Sequence, residues 1–452
     1  MSVFSIQRYR SALKSLVSGR GLRAQLVRGG FGSGAVKAAG TLLSLVVALV
    51  LARVLGPAGY GIYSYVFALV GILSVPAQFG LPQLVVRETA NAHAVADWSA
   101  VKGIWRWAGS LAVVLSLLLA FAGGAAVWML GERLGGVQVA TLAWGLVLLP
   151  VIVLARLRGA ALRGLRHVVA GQLPDMVLRP GLLAILVLVL VLGFGEVVTA
   201  SRAMALHALA ATSALLVGAV LLLRVRPSEL GSVQPRFSHR AWGRALIPLG
   251  LTAGMMVITR QSDIVLLGLF VEVEQVGIYR VAASASLLVA FGLEAVGAVV
   301  APQIARLYAR GELRQLQRLA TACSRVSLAV ALPAALVFVL YGEWLLGVVV
   351  GVEYAGGAAA LAILAGGQLV NAGMGLVGLL LNMTGHETVV TRTLALAALG
   401  HIVANLLLIP VWGMNGAAVA TAGTFILWNL LLARAVSKRL GIASAPFGIG
   451  RR

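Results

Sequence analysis

Residues 41–63 of the chain read TLLSLVVALVLARVLGPAGYGIY, an apolar run that ends at a Gly-Pro pair and is followed by a second apolar run. The two runs extend over about 35–55 and 60–80, and each has the roughly 20 residues that an α-helix needs to cross a bilayer. Arg53 is the one charged residue in the quoted stretch. This stretch therefore predicts two membrane-spanning helices joined by a tight turn.

The composition extends this prediction to the whole chain. Of 452 residues, 60% are hydrophobic and 11% are charged, against roughly 45–50% and 25% in globular proteins. A soluble fold of this size could not bury so much apolar surface, which excludes a soluble enzyme, a disordered chain and a disulfide scaffold. The single cysteine, Cys323, rules out an intramolecular disulfide and a cysteine-based metal site, and we expect it to be a small buried hydrophobe.

Runs of about 20 apolar residues recur along the chain and predict twelve membrane helices. Their approximate ranges are 35–55, 60–80, 104–128, 137–156, 170–193, 199–223, 243–269, 278–304, 319–341, 355–383, 389–410 and 414–435.

The basic residues are distributed unevenly between the two sides of this predicted topology. If the N-terminus is cytoplasmic, the outer segments hold only Arg53, Arg133, Arg202 and Arg280, whereas the inner loops and both tails hold nearly all other cations. This is the positive-inside pattern, and it predicts that both termini are cytoplasmic. The net charge of +22 is therefore assigned to membrane topology rather than to a nucleic-acid partner, because basic loops facing the membrane form no continuous patch.

The ends and the middle of the chain complete the predicted domain organisation. Residues 1–33 mix apolar and basic residues and predict an amphipathic cytoplasmic helix on anionic lipid, not a cleavable signal peptide. We predict an N-lobe of spans 1–6 at 34–224, a basic cytoplasmic linker at 225–242, a C-lobe of spans 7–12 at 243–440 and a C-terminal tail at 441–452.

Two short sequences recur six spans apart. Gly61-Ile62-Tyr63 in the first half matches Gly277-Ile278-Tyr279 in the second, and Gly164-Leu165-Arg166-His167 is echoed by Gly385-His386. An offset of six, an even number, means that both halves enter the membrane in the same direction. The fold class predicted is thus an all-α integral membrane protein with two six-helix lobes related by a pseudo-two-fold axis along the membrane normal, with a site between the lobes.

Signs of catalysis are scarce in the sequence. It contains no G-x-x-x-x-G-K-[ST] segment for nucleotide hydrolysis, and the histidines lack the close spacing of a metal site. The predicted outer loops are too short to fold into a catalytic domain. We therefore expect a protein that is not an enzyme and carries no metal or cofactor, with a membrane glycosyltransferase or polymerase as the less favoured alternative.

Several motifs resemble a known family. The first half carries Leu51-Ala52-Arg53-Val54-Leu55-Gly56-Pro57, Phe79-Gly80-Leu81 and Val86-Arg87-Glu88, and the second carries Asp263-Ile264-Val265-Leu266-Leu267-Gly268, Ala301-Pro302 and Leu408-Ile409-Pro410. In order and spacing these resemble the bacterial polysaccharide-biosynthesis, or O-antigen repeat-unit, flippases of the multidrug/oligosaccharidyl-lipid/polysaccharide exporter superfamily. The resemblance covers about residues 30–440.

The resemblance implies a function without covalent chemistry. It implies that undecaprenyl-diphosphate-linked oligosaccharide repeat units are moved across the bacterial cytoplasmic membrane by alternating access, for surface polysaccharide biosynthesis. The partners implied are this lipid-linked glycan, membrane lipids and polysaccharide-assembly proteins. A multidrug or cation antiporter of the same superfamily remains the alternative.

Ionisable residues inside the predicted spans are the main candidates for the site, because a charge at mid-bilayer costs about 2.5–3.5 kcal/mol on insertion scales. Arg260, Arg325 and Arg179 are candidates to bind the diphosphate through charge-assisted hydrogen bonds. Candidates for ion coupling are Asp263, Asp175 and Glu294. The spacings Asp175/Arg179 and Arg260/Asp263 also permit pairs within one helix that only orient the helices, and Arg325 could instead extend to the cytoplasmic interface.

Neutral polar residues in the spans are candidates to contact sugar, namely Asn371 and Asn382 and, with less weight, Gln368, His401 and Asn405. The competing interpretation for each is a hydrogen bond between helices. His401 and Asn405, four residues apart, are expected to satisfy each other.

Overall fold

A computed structural model describes residues 22–443, and the regular secondary structure of this range is entirely helical. The helices are α1 (Leu22–Gln78), α2 (Leu81–Ala94), α3 (Trp98–Leu130), α4 (Gly136–Gly164), α5 (Val168–Gly193), α6 (Ala200–Val225), α7 (His239–Phe270), α8 (Val273–Ala309), α9 (Leu313–Val349), α10 (Ala358–Met374), α11 (Val377–Met383) and α12 (Glu387–Leu440). Ten segments of this range are long and apolar enough to cross a membrane. The protein is an all-helical integral membrane protein, as predicted.

Two of the ten segments, α1 and α12, account for the difference between ten and the predicted twelve crossings. They have 57 and 54 residues and contain non-helical glycines, Gly56 in α1 and Gly413 in α12, both with positive φ. In α12 the distance between His401 Nδ1 and the hydroxyl oxygen of Thr424 is 3.1 Å. A straight helix would separate these two residues, 23 positions apart, by about 35 Å. The chain therefore doubles back at Gly413, and the length of α1 requires the same at Gly56.

Some predicted loops are helical. The inner loop after the second span turns at Phe79 and Gly80, which have positive φ, and then forms α2. α4 continues to Gly164, beyond the predicted end of the fourth span, so that Arg156 and Arg158 lie within the helix rather than in an inner loop. α7 begins at His239, inside the segment predicted as linker.

The two copies of the repeated Gly-Ile-Tyr sequence pack against each other at one end of the bundle, which we call the motif face. A Cβ on Gly61 would lie 1.7 Å from the carbonyl oxygen of Val273, and one on Gly277 would lie 2.1 Å from that of Pro57. Close approach between small residues is how membrane helices gain packing energy without a hydrophobic driving force. The repeat thus forms the contact between α1 and α8 near the pseudo-two-fold axis.

The opposite end of the bundle carries Arg166, Arg236 and Arg310, and we call it the basic face. One continuous apolar core joins both lobes from the motif face and includes Tyr63 and Tyr279. At the basic face the C-lobe has a separate core, to which Ile304, Leu316 and Leu380 belong. The lobes are therefore packed together at the motif face. At the basic face α7 still contacts the N-lobe, where Gly250 meets Phe79, whereas α8–α12 have their own core, and we call the space between the two cores the cleft.

Further hydrogen bonds tie the lobes together at the motif face. The hydroxyl of Tyr354 donates to the carbonyl of Ala52 at 2.8 Å, and Arg53 Nη1 donates to the carbonyl of Val349 at 3.1 Å. Each bond joins α1 to the C-lobe, so that opening this face requires breaking them.

The chain between α6 and α7 is fastened to the N-lobe. Lys102 Nζ donates to the carbonyls of Gly231 and Val233 at 3.1 and 2.8 Å, and the backbone N–H of Arg236 donates to Ser99 at 2.9 Å. Leu230 is buried in a small apolar cluster with residues of α2 and α3. This connection therefore forms a strap across the start of α3.

The predicted amphipathic segment 1–33 lies largely, and the C-terminal tail mostly, outside the described residues. The predicted lobe boundaries at 34–224 and 243–440 stay a prediction. From here on, N-lobe means α1–α6 and C-lobe means α7–α12.

Candidate functional site

A small cavity lies among α4, α5 and α6, in the half of the N-lobe nearer the basic face. Its volume is about 20 Å³, which is room for about one water molecule. Arg156, Asp175 and Arg179 line it, together with the apolar residues Ile152, Ala155 and Ala211. Arg156 is exposed, whereas Asp175 and Arg179 are half-buried. We call this cavity the basic pocket.

The ion-pair partner of Asp175 is Arg158 of α4, with 3.2 Å between Nη2 and Oδ2. The sequence spacing permitted Arg179, four residues along the same helix, as a partner, but the ion pair that forms is the one with Arg158. Asp175 lies in a π-helical stretch, Pro174–Leu178, whose wider turn removes the i,i+4 alignment of an α-helix. Arg179 remains an electrostatic neighbour of Asp175 and lines the same pocket.

Arg158 is the most deeply buried charged side chain near the pocket, with 5% of the side chain exposed. Besides Asp175 it contacts the carbonyl of Ala155 through Nη2 at 3.4 Å, and its Nε and Nη1 are buried without a hydrogen-bond partner. Gly218 of α6 leaves the space for this guanidinium, because a Cβ there would lie 1.1 Å from Nη1.

A buried Tyr-His pair lies beside the basic pocket. Tyr63 of α1 and His207 of α6 are joined at 2.7 Å between the hydroxyl and Nδ1, and Phe67 packs against the imidazole with 4.9 Å between ring centroids. Arg179 is an electrostatic neighbour of both Tyr63 and His207. The pair therefore extends the polar interior of the N-lobe toward the motif face.

The equivalent position of the C-lobe is occupied by a second polar cluster. Tyr279 of α8 donates to Asp263 Oδ2 of α7 at 2.8 Å and lies 3.2 Å from the hydroxyl of Thr421 in α12. The other carboxylate oxygen, Oδ1, accepts from the backbone N–H of Ile264 at 2.8 Å. No ion pair between Asp263 and Arg260 is found in the described range, and a neighbouring helix again supplies the partner that sequence spacing placed in the same helix.

His401 and Asn405 contact each other, as predicted, but Asn405 Oδ1 is buried without a hydrogen-bond partner. Asn405 Nδ2 lies 3.2 Å from His401 Nε2 and donates to the carbonyl of His401 at 2.8 Å. His401 Nδ1 contacts Thr424 across the hairpin of α12, and His401 is also an electrostatic neighbour of Asp263.

Asn371 belongs to a network of amides between α10 and α12. It accepts from Asn429 at 2.9 Å and donates to Gln368 at 3.2 Å. Asn371 remains half-buried, whereas Gln368 and Asn429 are buried. Hydrogen bonding between helices, the competing interpretation for these residues, is therefore observed for Asn371, whereas the bond of Gln368 lies within α10.

Arg260 is exposed at the middle of α7. On the same helical face, Ile264 and Leu267 toward the motif face are buried, while Met256, one turn toward the basic face, is half exposed. Leu251 and Leu269 are exposed on the opposite face of α7. Arg260 therefore lies where the closed contact between the lobes gives way to the cleft.

The other predicted site residues are exposed in different surroundings. Arg325 lies on a stripe of α9 that stays exposed at Leu332 and Leu336 toward the motif face. Asn382 is exposed at the end of α11, and Glu294 is exposed in the half of α8 nearer the basic face. The structure does not gather these three residues with the basic pocket.

Sequence reasoning missed four residues of this polar interior: Arg156, Arg158, Tyr63 and His207. Arg156 and Arg158 were assigned to a loop because charged residues interrupt the apolar run at that point. Tyr63 was considered only as part of a repeated motif. Tyr63 and Tyr279 nevertheless each contact the last helix of their own lobe, α6 through His207 and α12 through Thr421. A tyrosine repeated at the same offset as the lobes was the signal that could have identified the two polar clusters. Within the described range, no group of three His, Cys, Asp or Glu side chains could hold a metal ion.

Comparison with known proteins agrees with this architecture. A family model described as polysaccharide biosynthesis protein matches residues 26–308. The chain is 23% identical over 397 residues to the probable low-salt glycan biosynthesis flippase Agl15 of Haloferax volcanii, covering 86% of this chain and 79% of that protein.

Solved structures share the fold. The lipid II flippase MurJ in an inward closed conformation superposes with a TM-score of 0.69 at 11% identity, covering 88% of this chain and 86% of that one. An inward-facing multidrug resistance MATE family transporter of the MOP superfamily gives 0.67 at 14% identity, covering 89% and 94%. At these identities the likeness establishes the two-lobed fold and nothing about cargo.

Proposed function

The chain belongs to the polysaccharide biosynthesis protein family, and from this premise we propose that it is a flippase for lipid-linked glycans. In its finer form, the proposal is that undecaprenyl-diphosphate-linked oligosaccharide repeat units pass from the cytoplasmic to the outer leaflet by alternating access. The protein acts as a transporter, without covalent chemistry on the glycan. The name of the Haloferax relative, a glycan biosynthesis flippase, supports this direction.

The observation that carries the proposal is the excess of arginines inside the helix bundle, at the basic pocket of the N-lobe and at Arg260 beside the cleft. Arg156, Arg179 and Arg260 stand within the membrane-spanning helices, whereas the carboxylate of Asp175 is already paired with Arg158. A diphosphate cannot cross hydrocarbon unaided, because desolvating such an anion costs tens of kcal/mol in the idealised Born limit. Fixed guanidinium groups in a hydrated cleft replace its hydration, while the polyprenyl tail stays in lipid.

The same charges argue against the multidrug or cation antiporter. An organic cation in the cleft would face the arginines at low effective dielectric, where like charges repel strongly. Deletion of the gene separates the two functions. A flippase predicts glycan repeat units accumulating on their carrier with unchanged drug resistance, and normal surface glycan with drug hypersensitivity would transfer the function to the antiporter.

Arg260 is the proposed headgroup contact between the lobes. Replacement by Ala should lower glycan export at normal protein abundance, and Lys should restore it only in part because it lacks the planar fork. Arg133→Ala, an exposed cation beyond the spans, is the matched control. Normal export by Arg260→Ala would remove Arg260 from the site without affecting the flippase proposal.

Arg325, Asn371 and Asn382 carry less weight as substrate contacts. The apolar stripe that Arg325 shares with Leu332 and Leu336 is typical of a lipid-facing surface, along which a long cation extends to the interface. Export by the Arg325→Ala variant should therefore exceed export by the Arg260→Ala variant, and the reverse order would make Arg325 the principal contact.

Ion coupling is proposed to involve Asp263. The carboxylate is buried, it joins α7 to α8 through Tyr279, and His401 is close to it. Protonation of this carboxylate would change the contacts among three helices of the C-lobe. If the Asp263→Asn variant is present at normal abundance but does not transport, Asp263 takes part in coupling. If its abundance is lost, Asp263 stabilises the fold. Glu294 and Asp175 are the alternative coupling groups. Transport by the Glu294→Gln and Asp175→Asn variants is compared with transport by Asp263→Asn.

The basic face is proposed to face the cytoplasm of a bacterial cell, with both termini inside, since cations concentrate there. Reporter fusions after Arg166, Arg236 and Arg314 should report cytoplasm, and fusions near Glu196 and Glu353 the outer side. Polysaccharide-assembly proteins are the proposed partners.

A further inference from the structure

The charges around the basic pocket do not balance. Arg156 and Arg179 line it from α4 and α5, and Asp175 is the one carboxylate that lines it. Asp175 already accepts from Arg158 at 3.2 Å. Among the described residues, neither Arg156 nor Arg179 has a hydrogen-bond or ion-pair partner of its own. Two guanidinium charges therefore face one small cavity whose one lining carboxylate is already paired with a third arginine.

Arg158 creates this imbalance. Its side chain is buried, and it reaches Asp175 because Gly218 leaves room for the guanidinium. Without Arg158, the carboxylate of Asp175 would be shared among its other electrostatic neighbours, Arg163 of α4 and the pocket residues Arg156 and Arg179, and would partly neutralise the pocket from within. A buried pair adds little net stability by itself, so its effect on the charge of its surroundings is the more informative feature.

We infer that the basic pocket is an anion subsite of the N-lobe that takes a phosphoryl group through Arg156 and Arg179, and that Arg158 is a positioning residue that keeps Asp175 from occupying those arginines. Two guanidinium groups match the total charge of a diphosphate that is esterified at both ends, and they offer paired N–H donors. The enclosed space of about 20 Å³ admits a single oxygen-sized group. Because Arg156 is exposed, the remainder of the phosphoryl group lies on the open side.

This inference rests on the proposed function and adds to it. The phosphoryl group is held by one lobe alone, apart from Arg260 at the contact between the lobes. The same chemistry is offered by the diphosphate of a lipid-linked glycan and by a soluble phosphate compound, and the two sources are separated by the experiment.

The test measures binding of inorganic pyrophosphate and of farnesyl diphosphate to the purified full-length chain in nanodiscs. Arg156→Gln and Arg179→Gln should each weaken pyrophosphate binding at least tenfold, while the control Arg224→Gln, an exposed cation at the end of α6, should change it less than twofold. Unchanged binding in both pocket variants would overturn the inference. Farnesyl diphosphate binding tenfold tighter than pyrophosphate assigns the pocket to lipid-linked ligands, and equal affinities assign it to soluble ones.

The role of Arg158 is tested by charge rescue. Arg158→Met should weaken pyrophosphate binding about tenfold, because Asp175 then pairs with the pocket arginines. The double variant Arg158→Met/Asp175→Asn should return to within threefold of the wild type, since no carboxylate remains to compete. A purely structural role predicts that the double variant binds as weakly as Arg158→Met, and that result would overturn the positioning role. Thermal unfolding of each variant shows whether it is folded.

Failure of this inference and failure of the proposed function give different results. If deletion of the gene stops glycan export but Arg156→Gln and Arg179→Gln export normally, the flippase stands and the subsite is wrong. If pyrophosphate binding depends on both arginines but deletion leaves glycan export intact, the subsite stands and the cargo is wrong.

Discussion

Tyr279 connects three spans through one hydroxyl. It contacts Asp263 of α7 and Thr421 of α12, and Tyr63, its counterpart in the repeat, contacts His207 of α6. Hydrogen bonds between membrane helices contribute modestly, on average about 0.6 kcal/mol in one set of double-mutant cycles. Removing the donor of a buried acceptor costs more stability than this, because the acceptor is left without a partner. Replacement of the tyrosine therefore should have a measurable effect on stability.

Replacing Tyr279 by Phe should destabilise the C-lobe by about 1–3 kcal/mol, because Asp263 Oδ2 would remain buried without its donor. The measurement is thermal unfolding of the purified protein. Tyr308→Phe, at an exposed tyrosine of the same helix, is the control. Equal melting temperatures for the two variants would contradict the assigned role of the bond.

At the scale of the helix pair, the close contact of α1 and α8 at Gly61 and Gly277 holds the motif face closed. Backbone atoms surround both Cα positions, so no flexible side chain can move aside to admit a methyl group. Overpacking of such a contact typically costs about 1–3 kcal/mol.

Gly277→Ala should therefore lower the melting temperature and weaken the closed motif face. Gly109→Ala in α3 is the matched control, because open space surrounds a Cβ at that position and Ala favours a helix more than Gly does. We expect the control to be neutral or stabilising. A similar effect of both variants would show that the contact does not hold the lobes together.

The strap between α6 and α7 depends on another close contact within α3. A Cβ on Gly103 would lie 1.8 Å from the carbonyl oxygen of Arg236, and Arg236 also pairs with Asp97. Because the strap is fixed to the N-lobe, motion between the lobes is expected to be taken up in the first turns of α7.

Gly103→Val should displace the strap and expose its arginines. Limited trypsin digestion of the purified protein should then cut near Arg236 and Arg240 several times faster than in the wild type. Gly109→Val, two turns further along α3, should leave the rate unchanged. Equal rates in all three proteins would show that the strap is not held by this contact.

At the scale of the whole molecule, one apolar core joins both lobes near the motif face and continues through the N-lobe to Leu84 and Trp242, while a separate core fills α8–α12 at the basic face. Exposure along one face of α7 changes with distance from the motif face. Met256 is half exposed and Ile264, two turns away, is 1% exposed.

Single cysteines test this arrangement in a Cys323→Ser background. A membrane-impermeant maleimide applied from the basic face should label Met256→Cys much faster than Ile264→Cys. The same reagent from the motif face should label neither. Labelling of Met256→Cys from the motif face alone would mean that the cleft opens in the opposite direction.

The sequence by itself determined the membrane fold, the crossings and the relation between the lobes. Length and polarity of a run decide whether it spans a bilayer, since every backbone polar group in hydrocarbon must be satisfied within the helix. The repeat of Gly61-Ile62-Tyr63 at Gly277-Ile278-Tyr279 indicated two lobes because the two copies lie six spans apart. Asp263 and Arg179 could be selected from sequence because an ionisable residue in an apolar run is conspicuous.

Only the tertiary structure decided which polar groups meet and where the cleft opens. Spacing along one helix offered Arg179 to Asp175 and Arg260 to Asp263, yet the partners are Arg158 and Tyr279 on neighbouring helices. Those contacts depend on the rotation and approach of packed helices, on the π-helical turn at Pro174–Leu178 and on glycines such as Gly218, none of which a local pattern specifies. Periodicity describes one helix at a time, whereas a site between helices is a property of their packing.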